Sequence, residues 1–182
     1  MPIIDADLAK AAASLVDEPV DQLPLGELTK PVAVPQAKLR VLLRLAAGRP
    51  TAHWRDQRGS VLVHYERAEV TTAIGSVVVE LAVESVSGGI ETVAVPLAVG
   101  RARRDAGMIA ATSRRPTGPD AIVERWAEPL VAASWRALVL VAGAVAAAAG
   151  RDVRGRPLTP LAIRATKSGL AVVPGARNEP KR

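Results

Sequence analysis

From Ser76 to Val99 the hydrophobic and polar positions alternate in two successive runs. Val77, Val79, Leu81 and Val83 interleave with Ser76, Glu80 and Glu84, and Val93, Val95, Leu97 and Val99 interleave with Thr92, Ala94, Pro96 and Ala98. A period of two places successive side chains on opposite faces of a strand, so each run has one dry face. Ser87-Gly88-Gly89 interrupts them, and the whole predicts an antiparallel hairpin. Pro96 has no N–H to give to a ladder, so its strand is expected at an edge or with a bulge. Val61, Val63 and Tyr65 alternate with Leu62, His64 and Glu66 and predict a strand before the hairpin. Leu161, Ile163 and Ala165 alternate with Arg164 and Thr166, Lys167-Ser168-Gly169 turns, and Leu170 to Val173 return as a second hairpin. Met108-Ile109-Ala110-Ala111 reads as a short further strand between two Arg clusters.

Helical spacing appears three times. Asp5 is placed to cap a short helix over Ala6 to Val16, with Leu8, Ala12 and Leu15 on one face. Gln36 to Ala47 carry a stripe of Leu39, Leu42, Leu43 and Ala46, and Gly48 stops the run. Thr117-Gly118-Pro119-Asp120 is a helix start, with proline suited to the first turn and aspartate to the positive end of the dipole. Pro129 predicts a kink or restart, because the residue before a proline avoids the α region. The following run, Pro129 to Ala149, is apolar nearly all round and predicts a central buried helix.

The remaining segments read as irregular. Residues 17–35 contain Pro19, Pro24, Pro31 and Pro35 and suggest a linker or docking arm, and residues 49–59 form a polar loop. The predicted architecture is α+β: a mostly antiparallel sheet of four to six strands packed against a long kinked helix pair. Its expected divisions are an acidic, Pro-rich arm over 1–35, a single domain over 36–174 and a disordered tail over 175–182.

Composition changes this picture in two ways. The chain has no Phe, one Tyr and three Trp, so Ala, Val and Leu must fill its core. Cysteine is absent, which excludes disulfides, thiolate catalysis and Cys-ligated metals and suits a cytoplasmic protein. The net charge of +6 is unevenly divided: residues 1–35 hold Asp5, Asp7, Asp17, Glu18, Asp21 and Glu27 against Lys10 and Lys30. An acidic arm on a basic body can fold back on that body or reach for a basic partner. The opening Met1-Pro2-Ile3-Ile4-Asp5 lacks the basic and apolar regions of a signal peptide. Pro129 to Ala149 is long enough to span a bilayer, but Arg136 near its middle would cost about 2.5–3.5 kcal/mol there, so no membrane span is expected.

The sequence offers little reactive chemistry. His53 and His64 are the only histidines and have no partner at ligand spacing, so no metal is expected. No G-x-S-x-G, Walker or dinucleotide motif occurs, which leaves nucleophilic catalysis and nucleotide cofactors without support. Ser134 falls inside the apolar helix and is expected to bond back to a carbonyl. Glu66, Glu80 and Glu84 are close enough in register to share a strand face, as an ordinary charged outer surface does. Arg101, Arg103, Arg104, Arg114 and Arg115 are candidates for an anion or partner contact, and Trp126 is a candidate interface anchor. Nucleic-acid recognition is disfavoured, because the predicted helices are buried and the few aromatics are scattered.

Three stretches resemble the N-terminal cap domain of actinobacterial maltokinases and related standalone cap-like proteins. They are the hairpin VVVELAVESVSGGIETVAVPLAVG, the short segment GMIAAT, and TGPDAIVERWAEPLVAASWRALV, in which Thr117-Gly118, Asp120-Ala121, Ala127 and Pro129 fall as in that family. The resemblance spans about residues 60–150. The aromatic Arg-Trp-aromatic motif that opens such caps is missing, with only Trp54-Arg55 nearby, and nothing resembling a kinase domain follows. The resemblance implies the cap fold and a tie to trehalose–glycogen metabolism, not ATP or maltose chemistry. The expected function is that of a non-catalytic accessory or regulatory protein acting through protein contacts, with a homodimer among its expected forms. The alternatives are a self-assembling component of phage-tail or injection-system type and a nonspecific nucleic-acid binder.

Overall fold

A computed structural model describes residues 5–57, 59–85, 89–100, 111–113 and 115–178. The class is α+β, with three helices and ten strands among the described residues. The helices are α1 (Ala6–Ala13), α2 (Gln36–Ala46) and α3 (Asp120–Ala148). The strands are β1 (Val20–Leu23), β2 (Val32–Pro35), β3 (Thr51–Asp56), β4 (Gly59–Ala73), β5 (Ser76–Ser85), β6 (Ile90–Val99), β7 (Ala111–Ser113), β8 (Gly150–Asp152), β9 (Thr159–Thr166) and β10 (Gly169–Gly175).

The largest sheet is an antiparallel meander in the order β3-β4-β5-β6-β7. Its inward face is built by the predicted alternation: Val77, Val79, Leu81, Val83, Val93, Val95, Leu97 and Val99 are all buried. Each such side chain gains roughly 1.5–3 kcal/mol from leaving water, so the hairpin face is a principal store of stability. β4 is much longer than the predicted strand and changes phase midway. Val61 and Val63 point inward, then Ala68 and Val70 do. Between His64 and Glu69 the partner strand advances only from Ala82 to Glu80, and this bulge swaps the two faces of β4.

Pro96 lies on β6, inside the strand order and not at an edge. Ala94 exchanges both backbone hydrogen bonds with Thr117, so alternate residues of β6 present their backbone groups to that side. Among the described residues β7 pairs with Leu97 to Val99, and Pro96 lies between that pairing and the Thr117 bridge.

A second sheet, β2-β10-β9, is antiparallel and contains the predicted C-terminal hairpin. The two sheets meet where the Gly75 N–H donates to the Ala165 carbonyl at 3.1 Å. α1, α2 and α3 pack on one another, and α3 also lies on β9, β10 and β6. Leu130, Leu138, Val141 and Val145 of α3 are fully buried. By length and composition α3 could cross a membrane; here those side chains fill the centre of the fold.

Several expectations need correction. Residues 49–59 include β3 rather than a polar loop, because Ala52 and Trp54 face inward beside Val63 and Val61. Residues 17–35 are not irregular throughout: β1 pairs in parallel with β8, and β2 pairs antiparallel with β10. α3 runs through Pro129 as one helix, not a pair, with Trp126 and Leu130 buried on either side of the proline. That packing holds the helix together across the missing N–H. Beyond Pro174, Gly175 still belongs to β10 and Ala176 is buried, donating its N–H to the Glu27 carbonyl. Ser134 is buried with no hydrogen-bond partner for Oγ, not bonded back along its helix. The expected strand at Met108 to Ala110 and the turn at Ser87-Gly88 lie outside the described residues; β7 begins at Ala111.

Candidate functional site: an acid-lipped apolar groove

The predicted contact residues do not converge on one described surface. Arg101, Arg103, Arg104 and Arg114 lie outside the described residues, and Arg115 is exposed in the segment leading to α3. Trp126 is not an open interface anchor, for it is only 7% exposed. Its ring sits 6.3 Å from that of Trp54, and the Arg125 guanidinium lies 5.1 Å over the Trp126 centroid. Arg125 Nε donates to Asp56 Oδ2 at 2.7 Å, and its Nη2 meets Asp56 Oδ1. The end of β3 is thereby clamped on the start of α3, and both tryptophans serve as packing.

A polar cluster forms on the outer face of the large sheet. His64 lies between two carboxylates, with Nδ1 2.9 Å from Glu66 Oε1 and Nε2 3.2 Å from Glu84 Oε2. His64 and Glu66 lie two residues apart on one face of β4, and Glu84, opposite Leu62 on β5, is a diagonal neighbour of His64. Burial raises the Glu66 pKa, but the His64 hydrogen bond, a backbone hydrogen bond and the charges of His64 and Arg67 outweigh it and hold it below the ordinary value. The two imidazole nitrogens point at different carboxylates, so the three side chains tie β4 to β5 and do not converge on one centre. Among the described residues no group of three or more His, Asp or Glu side chains is arranged to hold a metal ion. Beside His64, burial raises the Tyr65 pKa, with Arg49 and Arg136 opposing.

A concave feature lies elsewhere, under residues 15–33. Leu15 and Val16 after α1, Val20 and Leu23 of β1, Leu28, Val32 and Ala149 enclose a groove of about 700 Å³. Asp17, Glu18, Thr29 and Lys30 form its polar lip. Backbone pairing builds its walls. The Val20 N–H donates to the Ala149 carbonyl at 2.8 Å, the Val153 N–H donates to the Leu23 carbonyl at 3.0 Å, and β2 is held by β10. Gln22, between them, has φ 59°, a left-handed conformation that costs a side-chain-bearing residue energy.

β8, the strand paired beside β1, is anchored by a tight turn. Asp152 is 3% exposed and accepts from the backbone N–H groups of Arg154 and Arg156, each at 2.9 Å, and from Arg156 Nε at 2.8 Å. Burial pushes this carboxyl up, but the Arg156 N–H, the Arg156 guanidinium and the Arg154 N–H together hold it below its ordinary 3.8.

Sequence reasoning singled out the acid of the first 35 residues but not the groove, which needs α1, β1 and the end of α3 brought together. No protein-family model, no curated protein and no solved structure matches this chain.

Proposed function

We propose that this chain is a non-catalytic accessory or regulatory protein of cap-like type that acts by contact with another protein. Its partner surface is the groove lined by Leu15, Val16, Val20, Leu23, Leu28 and Val32. The observation that carries the reading is that this open groove sets exposed aliphatic side chains beside exposed carboxylates. Val20 and Leu28 are 36% and 55% exposed at its mouth, where an isolated chain leaves them in water and a docked partner would cover them. The buried Asp152 carboxylate is held in a structural pair with Arg156, and Asp56 is paired with Arg125. The lack of cysteine fits a cytoplasmic setting, and the resemblance to maltokinase caps supports a role beside sugar-polymer enzymes.

The test is a photo-crosslinking side chain placed at Leu28 in the full chain, expressed in its native host. A discrete adduct is expected at Leu28 and not at Glu91, an exposed control on β6. A second copy of this chain in the adduct would assign the contact to self-association. Equal labelling at both positions, or turnover of ATP or a sugar phosphate by the purified chain, would overturn the reading.

A further inference from the structure

What sets the groove apart is that exposed carboxylates stand beside exposed aliphatic side chains. Asp56 pairs with Arg125, Glu69 with Arg40 and Arg44, Glu66 and Glu84 with His64, and Asp152 with Arg156, while Glu80 and Glu91 on the sheet and Asp120, Glu124 and Glu128 on α3 make no ion pair among the described residues. On the groove's lip Asp17 and Glu18 are exposed and make no ion pair among the described residues, and Asp21 and Glu27, next in sequence to its lining residues Val20 and Leu28, are exposed and unpaired as well. The hydrogen bond made there is internal, from the Gln22 N–H to Asp21 Oδ1 at 3.1 Å.

Cations are not scarce in a chain with 24 Lys and Arg. Lys30 is on the same lip, yet it pairs with neither Asp17 nor Glu18. Unpaired charge beside an apolar floor does two jobs. It draws in an oppositely charged segment from a distance, and it fixes the orientation of that segment once apolar contacts form. The groove volume of about 700 Å³ lies within the range of about 300–1,000 Å³ that binding sites use.

We infer that the groove receives a basic, aliphatic peptide segment of the partner protein, its apolar side chains on Val20, Leu23, Leu28 and Val32 and its Lys or Arg side chains against Asp17 and Glu18. This rests on the groove being the partner surface, as proposed above. It adds the chemistry of what enters. Lys30 sets the polarity: cations of the segment lie toward the Asp17–Glu18 side and away from the Lys30 side.

The experiment uses the full chain and two fluorescein-labelled peptides of about ten residues, each with a Leu-Leu-Val-Leu centre. One carries Lys-Arg flanks, the other Glu-Glu flanks, and anisotropy reports binding. The basic peptide is expected to bind roughly tenfold or more tightly than its acidic twin, and to lose this advantage as salt is raised. The double variant Asp17→Lys with Glu18→Lys should reverse the preference, with the circular dichroism spectrum unchanged because both positions are exposed. Leu28→Asp should weaken both peptides. Equal binding of the two peptides, or a preference the double variant does not alter, overturns the charge inference while leaving the groove as a contact surface. Binding of neither peptide also overturns it. Loss of the Leu28 crosslink as well would take the contact surface down too.

Discussion

The β5–β6 hairpin and the segment 17–35 hold their places by opposite means. In the hairpin each inward side chain contributes, and Val77, Val83, Val93, Val95 and Val99 have no exposed surface at all. In the segment the strands are short and most side chains face water; β2 buries Val34 alone, and β1 buries none of its residues completely. Those strands are held through their backbones, by β8 and β10. A side-chain-held element advertises itself by its period. A backbone-held element does not, because N–H and C=O groups are common to every residue type. The same difference explains why the second region has a groove: few side chains turn inward to fill it.

The sharpest way to break the comparison is to remove a large inward side chain from the hairpin. Leu81→Ala should cost about 2–5 kcal/mol, the loss of transfer energy plus the void left behind, and should lower the midpoint of a single cooperative urea transition. A loss below about 1 kcal/mol would show that the sheet face is not the main store of stability.

These two regions also mark how much could be read in advance. The hairpins, the stripe of α2, the cap at Asp5 and the start of α3 were legible because burial follows a period or a cap chemistry there. β3 was not: its inward pair, Ala52 and Trp54, is interleaved with His53, Arg55 and Asp56, so the strand reads as polar. Missing β3 also misplaced Trp126, whose packing partner is Trp54. The second half of β4 was hidden by the bulge, which shifts the inward positions from odd to even numbers. Pro129 overruled nothing, since buried neighbours on both sides carry the helix across it. Of the candidate site, the uneven charge was visible and the groove was not, because its walls come from both ends of the chain.

A more selective break is available at Gly150. It has φ 141°, and a Cβ placed there would collide with the Val20 carbonyl. Gly150→Ala should cost roughly 1–3 kcal/mol through backbone strain and a displaced β1. Hydrogen exchange should locate the damage: the Val20 and Val153 amides should exchange faster, while those of β5 and β6 stay protected. Equal loss of protection in both regions would mean that they unfold as one unit.

Acid offers a break without mutation. The Asp152 carboxyl sits below its ordinary 3.8 in the folded chain, so on acidification the unfolded chain takes up the proton first. Its contribution is complete above 3.8 and is lost as pH falls through the lower folded value. Glu66 shifts in the same direction and adds a parallel loss on the sheet's outer face. Asp152→Asn should flatten the acid dependence of exchange at Arg154 and Arg156, leaving the dependence around His64 in place. If the variant keeps the full acid response at those two amides, the carboxylate is not what holds the turn.

The smallest expected change sharpens the comparison instead of breaking it. Gln22 is the described non-glycine residue with positive φ, and it lies in β1, where the backbone does the holding. A left-handed conformation costs an L-residue about 1–2 kcal/mol, and glycine adopts it freely. Glycine also loses more entropy on folding, which cancels part of the gain. Gln22→Gly should therefore raise stability by up to about 1 kcal/mol, seen as slower exchange at Val20 and Val153 with no change in the hairpin. Unlike Gly150→Ala, it relieves the strand that walls the groove, so the basic peptide should bind the variant at least as tightly as the parent. A variant that is more stable yet binds the peptide more weakly would show that the strain at Gln22 is kept for the shape of the groove, and that the segment is held for contact and not for stability.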